Sequence, residues 1–337
     1  MRELTLWQTL QQAKLVDGEP PRDGQPHWSS RFLLGLVGWI AALFLLIFLA
    51  VTFDQLTREA NHALLLGAVL LAGAFALNRS QRGDLWDQFV LALTLAADAW
   101  LLYGLLDQLD FRHPFFWFGL CLLSLTIAAL FDHWLVRLFH SFAAAILLTL
   151  GLACVGLQLL ALPLVLSAVA ICWLQADAKP HRPWHYPSYH AISMGLALSL
   201  LVLGRLHQPL WDGSSSVLDE LGASRLPLWL NPLLCAALLL GLMMKLKLPL
   251  LYGLPLVLIS AIIPGMGAGA VVLILGFYAG SMGLMSLAAL LLVGYGALYY
   301  YDLGLTLMTK SWLLLGSGIL LLATRQLLNT LTARRTR

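Results

Sequence analysis

The length of its apolar runs limits this chain more than any other feature. A hydrocarbon layer is crossed by about 20 helical residues, and from Phe32 onward the sequence is a succession of such runs separated by short polar breaks. Backbone amides and carbonyls find no water inside that layer, so each run must satisfy its own hydrogen bonds as a helix. Hydropathy predicts roughly twelve spans, near 32–53, 61–78, 87–106, 114–131, 135–154, 157–175, 187–206, 227–244, 248–263, 265–280, 282–301 and 311–328. The expected fold class is therefore an all-α polytopic transmembrane bundle over residues 32–328. Composition agrees: 60% of the residues are hydrophobic and 11% charged, where soluble chains are near half apolar and a quarter charged.

An amphipathic helix and a Pro/Gly linker are expected over residues 1–31, on the cytoplasmic side, and a basic cytoplasmic tail over 329–337. The first apolar run lacks a small-residue cleavage site, so it is expected to stay as a helix. Lys and Arg give the orientation. With the N-terminus inside, 15 of the 20 basic residues fall in cytoplasmic segments, and only Arg58, Arg112, Arg205, Arg225 and Lys310 fall outside. Both termini are thus predicted to be cytoplasmic. These basic residues form no stripe, so nucleic acid is not an expected partner. Cys121, Cys154, Cys172 and Cys235 lie inside apolar runs and read as small buried hydrophobes.

Few residues could carry chemistry. Asp98 sits mid-span in TLAADAWLLYGLL. A carboxylate at that depth is either a functional ionisable site or a protonated acid hydrogen-bonded to a neighbour, with Thr94 one turn earlier as a helper. His140 is its candidate titratable partner, or else an interfacial histidine. PGMGAGA, with Pro264, Gly265, Gly267 and Gly269, is a candidate broken helix lining a cavity, or a tight turn between spans. His181, His185 and His190 have a spacing that invites a metal, but Pro183 interrupts the helix which that spacing needs, and no cofactor or metal is expected.

The stretch LYYYDLGLTLMTKSW, Leu298 to Trp312, is the candidate partner-contact hairpin. Tyr299, Tyr300 and Tyr301 are predicted at the outer interface, where tyrosines anchor helices. Lys310 opens the last span, where the positive end of the helix repels a cation. Asp302 is the expected compensating partner, directly or through one water, and Ser311 or Thr309 the expected cap.

ALYYYDLGLTLMTKSWLLLGSGILLLATR resembles the C-terminus of an uncharacterised bacterial inner-membrane family, domain of unknown function 4401. LWQTLQQAKLV followed by WSSRFLLGLVGWIAALFLLIFL is similar to its start. Thr309 stands where relatives are expected to carry an acid, which gives Asp302 more weight. The resemblance implies a multi-pass inner-membrane protein without assigned activity, associated with a second multi-span protein and a small membrane protein. Minimal soluble loops, no catalytic constellation, small-residue packing motifs and the outer aromatic hairpin make the expected role a non-enzymatic subunit or scaffold of an envelope membrane complex, with the lipid bilayer and other small or polytopic membrane proteins as partners. The alternative is a secondary transporter or channel using Asp98 and the break at 264–270.

Overall fold

The computed structural model describes residues 59–80, 84–178, 186–206, 224–248, 250–262 and 264–302, together with scattered positions elsewhere. Ten α-helices occupy the described residues: α1 (Ala60–Ser80), α2 (Asp84–Gln108), α3 (Pro114–Leu130), α4 (Trp134–Cys154), α5 (Ala161–Ala178), α6 (Tyr186–Leu206), α7 (Leu230–Lys245), α8 (Leu250–Ile262), α9 (Pro264–Tyr278) and α10 (Met282–Asp302). A single 3-10 turn, Gln158–Leu160, precedes α5. Five helical segments, in α1, α2, α4, the Gln158–Gln175 stretch and α10, are long and apolar enough to cross a bilayer, and they mark a membrane-embedded, all-helical protein.

Among the described residues five such segments stand against the twelve spans expected. The candidate spans at 32–53 and 311–328 fall largely outside the described residues. α7, α8 and α9 have 16, 13 and 15 residues, so at about 1.5 Å per residue each is shorter than a hydrocarbon core of about 30 Å.

The helix ends follow local chemistry. α3 starts where Pro114 takes the first helical position behind an extended His113, a place where the missing Pro amide costs nothing. It stops at Phe131, which turns extended. α4 begins after His133, whose ring accepts the Val136 N–H at 3.4 Å.

Two compact units divide the chain, Met1–Leu105 and Leu106–Arg337. In the first, α1 and α2 meet through reciprocal glycines. A Cβ on Gly67 would sit 2.7 Å from Leu101 Cγ, and one on Gly104 would sit 2.7 Å from Leu64 Cγ. Each helix thus offers a glycine to the other's leucine, the close approach that small residues allow in lipid.

In the second unit, α3 pairs with α4, α4 with α6, and α6 with α5 and α10; α7, α8 and α9 pack on one another, and α9 pairs with α10. The core runs through α5, α6, α7, α9 and α10, with Leu166, Leu200, Leu239, Leu275 and Leu291 fully enclosed. Tyr295 of α10 crosses that core to donate its hydroxyl to the Leu200 carbonyl of α6.

Candidate functional site

The aromatic end of α10 is built by helical rotation. Tyr295 is buried, while Tyr299 and Tyr301, one and nearly two turns later, are 40% and 77% exposed. Tyr300 lies edge-on to Tyr301, with ring centroids 5.8 Å apart. The helix is held by the inward tyrosine and presents the outward ones. Lys310 lies outside the described residues, as does the expected Asp302–Lys310 pair; Asp302 is the last residue of α10. Thr306 takes the capping role expected of Thr309 or Ser311. Its hydroxyl accepts the Thr309 N–H at 3.4 Å and lies 2.9 Å from the Thr309 hydroxyl, the pattern of a helix N-cap. Ser311 is helical and exposed.

Asp98 is half-buried near the middle of α2. Thr94 does not serve it: the Thr94 hydroxyl donates back to the Leu91 carbonyl of its own helix at 2.8 Å. His140 belongs to the second unit, 1% exposed within α4, and so is shielded by protein rather than set at an open interface. Beside it Ser141 is fully buried and bonds the Leu138 carbonyl at 3.0 Å. Gly195 of α6 faces this spot so closely that an added Cβ would strike Ser141 Oγ and the Leu138 carbonyl.

The stretch at 264–270 departs from both expectations placed on it. Pro264, Gly265, Gly267 and Gly269 belong to the first two turns of α9, which starts at Pro264, and α8 ends at Ile262. The three glycines are buried, and each receives a neighbour. A Cβ would meet the Tyr295 ring at Gly265, Ser260 at Gly267 and Leu292 at Gly269. Ala268 and Ala270 are buried beside them. Glycine here buys close helix contact with α8 and α10, and the helical ladder satisfies the backbone groups that a broken helix would expose.

Of the three histidines, His181 and His185 lie outside the described residues. His190 packs edge-on to Trp173, with ring centroids 5.0 Å apart. Among the described residues, no group of three or more His, Cys, Asp or Glu is placed to hold a metal.

Two contacts escaped the sequence reading. Arg137 in the first turn of α4 bonds Asp132 at 2.8 Å and, through Nε, the Ala128 carbonyl of α3 at 3.3 Å, which fastens the α3–α4 hairpin. The signal was present in FDHWLVR, where an acid precedes a helix start and a base follows one turn inside it. Gly222 and Arg225 dock at the end of α4. Gln158 donates to the Gly222 carbonyl at 3.2 Å, and the Arg225 N–H to the Gly156 carbonyl at 2.9 Å.

Comparison with known proteins gives a family and no activity. The family model described as domain of unknown function (DUF4401) matches residues 27–331. No curated protein and no solved structure matches the chain. The chain belongs to the domain of unknown function 4401 family; the match contains the C-terminal element and the WSSRFLLGLVGWIAALFLLIFL run, while LWQTLQQAKLV lies before it.

Proposed function

We propose that this member of the family is a multi-pass protein of the bacterial inner membrane, with both termini cytoplasmic. It acts as a non-enzymatic subunit or scaffold of an envelope membrane complex and uses the hairpin around Tyr299–Ser311 as its partner contact. The observation that carries this reading over a transporter is the packing of Gly265, Gly267 and Gly269 against Tyr295, Ser260 and Leu292. A substrate path needs open, polar backbone at that depth, and these glycines are spent on helix contact instead. Tyr299 and Tyr301 supply outward aromatic area on a helix anchored by Tyr295, the kind of rigid amphipathic surface that partner proteins use.

The test is recovery of partner membrane proteins with the tagged chain in mild detergent. Lys310→Glu should lower recovery without greatly lowering protein level, and adding Asp302→Lys should restore it. Recovery that ignores both changes would remove the hairpin from the account. Reporter fusions after Arg337 should read cytoplasmic and fusions within 212–224 external; a periplasmic C-terminus would overturn the orientation.

A second reading, transport, rests on Asp98, half-buried near the middle of α2. Under that reading Asp98→Asn abolishes the cellular function and leaves folding intact, because the amide keeps the size and loses the proton. Under the scaffold reading the same variant complements a deletion as well as wild type does.

A further inference from the structure

Three helices in the second unit end in the same hydrogen-bond motif, and one of them is built from an unexpected residue. At the end of α4 the Gly156 N–H bonds the Ala153 carbonyl and the Leu157 N–H the Leu152 carbonyl. At the end of α9 the Gly280 N–H bonds Phe277 and the Ser281 N–H bonds Gly276. These paired bonds define a cap whose turning residue is left-handed, and glycine fills it at φ 76° and 62°.

At the end of α7 the same two bonds run from Lys247 to Met244 at 3.1 Å and from Leu248 to Met243 at 2.9 Å. The turning residue here is Lys247, at φ 54°, and among the described residues it is the one non-glycine with positive φ. A side chain there costs about 1 kcal/mol against glycine. A chain with 28 glycines keeps a lysine in a slot where its neighbours use none.

The surroundings say what the charge faces. Lys245 and Lys247 are both exposed, and neither is in an ion pair among the described residues. The sequence from Leu221 to Tyr301 contains no Asp or Glu, so α7 to α9 bring no carboxylate of their own to this turn. Met244 and Leu248 flank the lysines and are 62% and 37% exposed. With 16 residues, α7 is about 24 Å long, short enough that its end is drawn toward the level of the lipid headgroups, where lysine stems lie in the apolar layer and lift the ammonium to phosphate.

We propose that the α7–α8 turn is a docking site for an anionic phospholipid. Lys245 and Lys247 hold the headgroup phosphate, and Met244 and Leu248 rest against the acyl chains. A cation at a helix C-terminus is also favoured by the helix dipole, but Lys245 in the last turn already supplies that without occupying a left-handed position. The proposal needs only that the helices lie in a bilayer, so failure of the partner-recovery experiment would leave it standing.

The test is thermal stability of the purified full-length protein in detergent, titrated separately with short-chain phosphatidylglycerol, phosphatidylcholine and inorganic phosphate. Phosphatidylglycerol should raise the melting temperature of wild type, and the other two should not. Lys247→Gly should start from a higher melting temperature, because the backbone relaxes, yet need about fivefold more phosphatidylglycerol for the same shift. Should that variant fold poorly, Lys247→Gln removes the charge with the backbone unchanged and carries the same expectation. Lys247→Arg should respond as wild type does, and so should Arg225→Gln, which removes an exposed charge outside this turn. The proposal is overturned if Lys247→Gly and Lys247→Gln keep the wild-type response, or if phosphatidylcholine or inorganic phosphate acts as well as phosphatidylglycerol.

Discussion

α1 and α4 are nearly matched in length and equal in mean hydropathy, yet 17% of the apolar window of α1 is buried against 56% of that of α4. What separates them is where the polar atoms sit. α1 has an unbroken apolar middle, and Leu65, Ala68, Val69, Ala72, Gly73 and Ala76 trace one exposed face. α4 carries Arg137, His140, Ser141 and Thr149, all buried. Lipid tails are as apolar as leucine, so hydropathy reports only that a helix can cross, while polar groups must turn toward protein to find partners. In α4 the buried guanidinium, imidazole and hydroxyls mark the inward face.

If that contrast is right, equivalent substitutions should separate the two helices sharply. The largest effect is expected for Gly195→Ala in α6, because the new methyl would strike Ser141 Oγ and the Leu138 carbonyl of α4. A loss of about 1–3 kcal/mol should appear as a lowered melting temperature in detergent. Arg137→Gln should follow, at about 1–2 kcal/mol, since it strips the Ala128 carbonyl and Asp132 of a charged donor while Asp132, largely exposed, can turn to water. On α1, Gly73→Ala should be neutral or stabilising by up to about 1 kcal/mol, because a Cβ there meets nothing within 4 Å. The smallest change is expected for Thr149→Val, about 0–1 kcal/mol, since the Thr149 hydroxyl is spent on the Ala145 carbonyl of its own helix at 2.8 Å. A Gly73→Ala variant as damaged as Gly195→Ala would break the comparison.

The same rule explains which features were legible beforehand. The helices from Ala60 to Asp302 lie close to the apolar runs that announce them, because backbone satisfaction in lipid leaves the chain no other choice. Asp98 was legible as a half-buried acid near mid-helix for the same reason. The glycines at 265, 267 and 269 were misread, since their weak helix propensity argues for a break only where nothing packs on them, and here the Tyr295 ring, Ser260 and Leu292 fill the space. The Arg137–Asp132 clasp and the docking of Gly222 and Arg225 at the end of α4 depend on which helix end meets which loop. Hydropathy carries no such information. Thr306, rather than Ser311 or Thr309, supplies the cap, accepting the Thr309 N–H.

The central claim, that the end of α10 faces a protein partner rather than lipid alone, is most directly tested by placing a photo-crosslinking amino acid at Tyr301 and, as the contrast, at Leu65 on the exposed face of α1. Irradiated in native membranes, the chain labelled at 301 should yield a discrete protein adduct that disappears with Lys310→Glu, while the chain labelled at 65 yields no protein adduct. Lipid adducts alone at both positions would contradict the scaffold reading and leave Tyr301 as an interface anchor.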